Sequence, residues 1–428
     1  MERLVVEGGP PTWSGSWPEW PVHDEREVEA ATRVVRSGKW WRFSYGDGSE
    51  AKGGQRSEVV RFQEAFARYS DCRYGIAAAN GTVTMEIALR ALGVRPGDEV
   101  IVPAYTFIAT ATAVLTINAV PIFVDIDPDT YNLDPRRIQE ALTDKTKAII
   151  PVHFGGQPAA MEAINELARQ HGIAVLEDAA HAHGSAYRGR KCGSLAEAGS
   201  FSFQASKPIT AGEGGIITTN REELAERCES LVWAGRRKGE PWFRHYELAG
   251  NARMTEIQGA ILSVQLTRLD DQIAHRRANA LLLDGLLEGI DGIEPCSVLP
   301  TTTAHSYHIY MLRYRPDAFS GLPKAQFVRA LSAEGIAPVM EGYITPLYRN
   351  PMFLERNMWG GACPLDCPRY GRIIDYAEFA AKCPVAERAC ATEAVWLSQN
   401  ALMAGKDEIH AIARAIQKVQ RRAPALCS

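Results

Sequence analysis

The sequence predicts an α/β protein built on a doubly wound, mostly parallel sheet and followed by a smaller α+β unit. Three observations carry this. Between about residue 73 and residue 220, short Val/Ile/Ala-rich runs alternate with helical stretches, the order that lays parallel strands beside crossover helices. Those runs are apolar throughout, as strands buried on both faces are. Beyond about residue 255 the apolar residues recur at three and four positions, the period of long helices.

Taken in order, YGIAAA is a strand followed by the helix VTMEIALRALGV, and DEVIVPA is a strand leading into a helix through IATATAVL. AVPIFVDID and KAIIPVHF are the next strands, AAMEAINELARQHG is a helix, and IAVLEDAA is a strand. The pattern EIQGAILSVQLTRLDDQIAHRRANALLLDGLL leads as one long helical stretch into the second unit, where HSYHIYMLRYR reads as a strand and KAQFVRALSAEG as a helix. The Pro- and Gly-rich stretch from Asn350 to Tyr370 reads as an irregular surface loop. The expected division is an N-terminal arm over residues 1–20, a large domain over 21–275 and a small domain over 276–428.

With 428 residues and 46% hydrophobic content, the chain can bury a sizeable core. A formal net charge of -4 provides no basic field, so neither nucleic acid nor an acidic membrane is an expected partner. The opening MERLVVEGGPPTW lacks the apolar run of a signal peptide, and no segment offers the roughly 20 apolar residues of a membrane span. The expected location is the cytoplasm. Nine dispersed cysteines read as thiols. The C-x3-C and C-x6-C spacings among Cys363, Cys367, Cys383 and Cys390 do not match a zinc ribbon, and no metal is expected.

The chemistry gathers where strands end. Asn80-Gly81-Thr82 follows the YGIAAA strand and opens a helix, which offers free N–H groups and a favourable dipole to an anion. Asp178 ends the apolar strand IAVLED, with His181 three residues on. A carboxylate at that depth needs a cation or several donors, and a protonated pyridine nitrogen serves. Lys207 lies in FSFQASKPITAGEGG, with no acidic residue for several positions on either side. An anion cradle, a pyridinium partner and an amine of lowered pKa are what pyridoxal 5'-phosphate (PLP) requires.

At these residues the sequence resembles the DegT/DnrJ/EryC1/StrS family of PLP-dependent aminotransferases, which act on keto sugars and keto cyclitols. The resemblance runs through WPVHDERE, SGKWWR, ANGTVTMEIALRALGV, GDEVIVPAYTF, PIFVDIDPDTYNLDP, PVHFGG, LEDAAHAHG, FSFQASK, TAGEGG, GNARMTEIQGAI and GYITPLYRNPMF. It implies the fold type I architecture, with a mostly parallel seven-stranded sheet in the large domain, and a homodimer whose active sites lie at the subunit interface.

Carried onto this sequence, the resemblance makes Lys207 the lysine that bonds the cofactor and moves the proton between carbon atoms. Asp178 holds the ring nitrogen protonated and His181 lies near the cofactor hydroxyl. Phe107 stacks on the ring, Gly81, Thr82 and Ser202 bind phosphate, and Asn251 reaches the neighbouring subunit's phosphate. Tyr343, Trp40 and Trp41 line the substrate side. One departure is Pro208, where many relatives have asparagine; any contact assigned to that asparagine is missing here. The implied reaction is ping-pong transfer of an amino group from glutamine or glutamate to a keto cyclitol or keto sugar. The alternatives are the dehydration and aromatisation of aminohydroxybenzoate synthases, which use the same lysine, and a catalytically silent regulatory paralogue that binds PLP or a sugar.

Overall fold

The computed structural model describes residues 2–45, 56–358 and 363–427. The alternating segments form one seven-stranded sheet: β1 (Tyr74–Ala78), β2 (Glu99–Pro103), β3 (Val120–Val124), β4 (Thr146–Ile149), β5 (Ala174–Asp178), β6 (Ala198–Ser202) and β7 (Gly215–Thr219). Its order is β1-β7-β6-β5-β4-β2-β3. The pairs β2/β3, β2/β4, β4/β5 and β5/β6 are parallel, and β7 runs antiparallel between β1 and β6. This is the mostly parallel sheet expected from the apolar runs.

Strand parity explains why those runs are apolar without alternation. Val100 and Val102 enter one buried cluster and Ile101 the other; Ala148 and Ile149 divide in the same way, as do Leu176 and Val175. Successive side chains point to opposite faces, and each face has its own core.

A second, antiparallel sheet is made of β8 (Ile293–Pro295), β9 (Ile309–Tyr314), β10 (Val339–Met340) and β11 (Ala394–Ser398), in the order β8-β9-β11-β10. Leu312 of β9 shares a buried cluster with Leu283, Phe327 and Ile416 from the helices Leu269–Leu287, Lys324–Ala333 and Lys406–Leu426. The single helical pattern expected after residue 255 is two helices, Glu256–Leu266 and Leu269–Leu287. Arg268 at the break binds Asp24 and Glu27. The expected division after residue 275 falls within the second helix, whose Leu269 and Ile273 pack into a core of the large sheet and whose Leu283 and Leu287 pack beneath the small one.

The stretch from Asn350 to Tyr370 departs from its expected surface loop, although residues 359–362 lie outside the described residues. Phe353, Met358, Leu365 and Tyr370 are buried in the same cluster as Phe123 of β3, and the Tyr370 hydroxyl donates to Glu99 Oε1 at 3.1 Å. Pro and Gly mark the turns correctly, but the apolar residues between them decide burial.

The nine cysteines are free thiols, as their dispersal predicts. No helix among the described residues is long and apolar enough to cross a membrane.

The end of β5 carries two acids that strand parity sends to opposite faces. Buried Glu177 accepts from the amides of Gly193, Leu195 and Ala196 at 2.7, 2.7 and 3.0 Å, and from His153 Nε2 at 2.9 Å. His153 Nδ1 accepts from the Ala159 amide at 3.0 Å, which assigns the ring proton to Nε2. Cys192 lies beside this pair at metal-ligand spacing, but both ring nitrogens are engaged and the group is a hydrogen-bond hub. It fixes the loop before β6 against β5. Glu177→Ala leaves three amides, two of them in buried residues, without their acceptor and is expected to lower unfolding stability by about 3 kcal/mol or more. Urea denaturation measures this.

Candidate active site

The ends of β5 and β6 and the turn after β1 open on one cavity of about 1140 Å³. Asn80 caps the helix Gly81–Ala91 by accepting from the Val83 amide at 2.9 Å. The Gly81 and Thr82 amides, at the first helical positions, have no intrahelical acceptor. A Cβ on Gly81 would lie 2.6 Å from Ser202 Cβ, so glycine is what lets this helix start against β6. Two free amides and the Ser202 hydroxyl therefore share one end of the cavity.

Asp178 accepts from Thr110 Oγ1 at 2.8 Å and from the Ala180 amide at 3.2 Å. Burial pushes its carboxyl above the ordinary range, and these two bonds and Lys207 only partly oppose the push. Lys207 lies beyond β6 in a turn closed by its amide on Gln204 O at 2.9 Å. Burial lowers its amine to about 8, with Asp178 opposing. No salt bridge to Lys207 occurs among the described residues.

The Gly155 amide donates to His181 Nδ1 at 3.3 Å. Burial holds the His181 ring well below its ordinary pKa, so it is neutral with the proton on Nε2. His308, just before β9, packs against it with ring centroids 4.4 Å apart and is held neutral by the same cause. Phe107 borders the cavity with 55% of its surface open, a large apolar face with no ring stacked on it among the described residues. Tyr343 closes the other side, its ring 4.8 Å from Trp396 and 5.3 Å from Tyr105. His183 turns away and packs among Phe66, Phe201 and Phe203.

The structure thus brings Gly81, Thr82, Phe107, Asp178, His181, Ser202, Lys207 and Tyr343 to one cavity. Trp40, Trp41 and Asn251 do not line it. Trp41 packs on Phe43 and Trp242 at 5.1 and 6.0 Å, with the Arg253 guanidinium over its ring. Trp40 is 56% exposed and Asn251 is also exposed. Within this chain Trp41 packs against other aromatics, and Trp40 donates from Nε1 to Val35 O at 3.2 Å.

Sequence reasoning missed Thr110, His308, Trp20 and Gln399. Thr110 follows Phe107 by three positions where a helix begins, so helical spacing could have found it. His308 interrupts an apolar strand pattern, which is also a signal. Nothing local marks Trp20 or Gln399, which enter the cavity from distant parts of the chain.

A flat pyridine ring carrying a phosphate and an aldehyde fits these residues. Free helix amides and a hydroxyl suit the phosphate, an uncovered phenyl suits the ring face, and a buried carboxylate without a cation suits a protonated ring nitrogen. An amine whose pKa burial lowers to about 8 suits the aldehyde.

The comparisons with known proteins agree. A sequence profile of the DegT/DnrJ/EryC1/StrS aminotransferase family matches residues 23–369. The chain is 39% identical to the L-glutamine:2-deoxy-scyllo-inosose aminotransferase of Streptomyces paromomycinus, over 98% of this chain and 97% of that one. It is 37% identical, over 99% of both chains, to a Streptoalloteichus tenebrarius protein provisionally named L-glutamine:3-amino-2,3-dideoxy-scyllo-inosose aminotransferase. Among solved structures, 3-amino-5-hydroxybenzoic acid synthase superposes with a TM-score of 0.84 at 33% identity, covering 96% of this chain and 100% of that one. With its fold, its cavity and these relatives in agreement, the chain belongs to the DegT/DnrJ/EryC1/StrS family and is a PLP-dependent aminotransferase.

Proposed function

We propose that this enzyme transfers the amino group of L-glutamine to a keto cyclitol of the scyllo-inosose class, as a cytoplasmic homodimer with shared active sites. The observation that carries the reading is the match to scyllo-inosose aminotransferases over nearly the whole chain. The amine of Lys207, its pKa lowered by burial, shares one cavity with Asp178 and supplies the chemistry. The donor becomes a 2-oxo acid in the first half of a ping-pong cycle, and in the second half its nitrogen replaces the acceptor's carbonyl oxygen, which leaves as water.

PLP, when bound, supplies the electron-withdrawing ring that weakens the bonds to the substrate carbon. Lys207 Nζ would hold the cofactor's aldehyde carbon and would take and return the proton at the substrate carbon; a pKa of about 8 suits both tasks near neutral pH. Asp178 would keep the ring nitrogen protonated. His181 would donate from Nε2 to the ring hydroxyl, and Phe107 would cover one face. Gly81, Thr82 and Ser202 would hold the phosphate, and Tyr343 would bound the substrate space. Asn251, Trp40 and Trp41 act in the partner's site, a role supported by their exposure and their absence from their own cavity.

A second reading, dehydration and aromatisation, is favoured by the likeness to 3-amino-5-hydroxybenzoic acid synthase. The deciding assay incubates enzyme with glutamine and either 2-deoxy-scyllo-inosose, its 3-amino derivative, or nucleotide-linked keto sugars, and weighs the products. An aminated cyclitol supports the proposal. An aromatic product, or amination of a nucleotide sugar alone, contradicts it.

Two residue substitutions test the roles assigned above. Asp178→Asn is expected to lower kcat by about two orders of magnitude or more, because it removes the charge opposite the ring nitrogen. The sign for stability is the reverse: the folded carboxyl has a raised pKa, so its ionised form costs stability above that pKa. The cofactor-free Asn variant should unfold at an equal or higher urea concentration at pH 7. For the shared site, chains carrying Lys207→Ala and chains carrying Asn251→Ala are combined. Mixed dimers should regain activity that both homodimers lack, because one of their two sites carries neither defect. Given an impaired Asn251→Ala homodimer, no recovery in verified mixed dimers confines Asn251 to its own chain.

A further inference from the structure

We infer that Trp20 and Gln399 are positioning residues for the reactive lysine, clamping the turn that carries Lys207 from two segments outside the large sheet; this rests on reading Lys207 as the cofactor-bonding lysine. The turn lies beyond the end of β6, Ala205 and Ser206 are exposed, and Pro208 has no amide hydrogen with which to anchor the chain after the lysine. Its internal bonds are local. Lys207 N donates to Gln204 O at 2.9 Å, and Gln204 Oε1 accepts from the Ser206 amide at 2.9 Å and from its hydroxyl at 2.8 Å.

The next two carbonyls are held from far along the chain. Trp20 Nε1 donates to Ala205 O at 3.1 Å, and Gln399 Nε2 donates to Ser206 O at 2.6 Å. Trp20 belongs to the N-terminal arm, which is anchored by the Thr12 hydroxyl on Glu334 and by Trp17 Nε1 on Gly335 O. Gln399 opens the short helix Gln399–Leu402 after β11 and is itself buried. Asn400 Nδ2 donates to Pro18 O at 3.2 Å, so the two halves of the clamp are also tied to each other.

A lysine side chain has about 2 kcal/mol of rotamer entropy to lose. Fixing the backbone beneath it limits where its amine can go, and holding that turn down keeps the amine in the cavity. The groups that set the charge around the amine are Asp178 on β5, His181 and His183 in the loop after it, and His308 just before β9. Tyr343 borders the same cavity, with Glu19 and Glu213. Neither clamping side chain is charged, so removing their donors loosens the turn without altering these charges.

Trp20→Phe keeps a ring and removes the N–H, and Gln399→Met keeps the length and removes the amide. In cofactor-free full-length protein, the rate of Lys207 acetylation by acetic anhydride, followed by peptide mass against pH, gives the amine's apparent pKa. The double variant should raise it by about one pH unit or more, toward the ordinary lysine value of about 10.4, with little change in thermal midpoint. Trp20→Phe alone should move it in the same direction, and that variant decides the matter if the double variant does not fold. An unchanged profile in folded protein overturns the clamp, as does a wild-type amine already at the ordinary value. The readout involves no cofactor, so its failure is distinct from a failure to find PLP on Lys207.

Discussion

The site depends on a carboxylate buried without a cation. Asp178 has two hydrogen-bond donors where a buried, ionised carboxylate can use more, and burial raises its pKa. The same burial lowers the pKa of the Lys207 amine. These are two costs of one cavity, and on the proposed reading one cofactor would relieve both: a protonated ring nitrogen would supply the charge Asp178 needs, and an aldehyde would take up the amine whose pKa burial has lowered. Neither residue is well placed for stability alone. Together they are placed for chemistry, which is how perturbed groups facing a cleft are best read.

The sheet gives Asp178 this position by parity. Glu177 and Asp178 are adjacent on β5, yet Glu177 closes a hydrogen-bond hub within the fold and Asp178 faces the cavity. A one-residue slip of β5 would exchange them and lose both functions. The pairing of Asp178 with Ser200 on β6 then carries the chain to Ser202 and the lysine turn beyond it. Gly81 admits a helix N-terminus against Ser202 of β6, so β6 borders both the helix-amide end and the lysine end of the cavity. The N-terminal arm and the short helix after β11 complete the enclosure from outside the sheet.

The parts of this architecture written in local patterns were legible in the sequence. Apolar runs marked the parallel strands because both faces are covered, and Asp178, Lys207 and Gly81 stood out because each breaks the pattern around it. The split at Arg268 was not legible, since the apolar period continues across it and the partners of Arg268 at the break, Asp24 and Glu27, lie far away in sequence. The burial of Phe353 and Tyr370 was hidden by the prolines and glycines around them. Trp20 and Gln399 act through bonds spanning 185 and 193 residues, and no window along the chain contains both ends. Trp40 and Trp41 were visible as an aromatic pair, but the Trp41 partners Trp242 and Phe43 are set by folding.

The claim at the centre is that Lys207 bonds PLP opposite Asp178. The most direct measurement reduces the yellow holoenzyme with sodium borohydride, digests it and locates the phosphopyridoxyl group by mass. The account expects the added mass on the peptide containing Lys207 and on no other. Labelling of a different lysine, or no covalent label in enzyme that carries PLP, would contradict it.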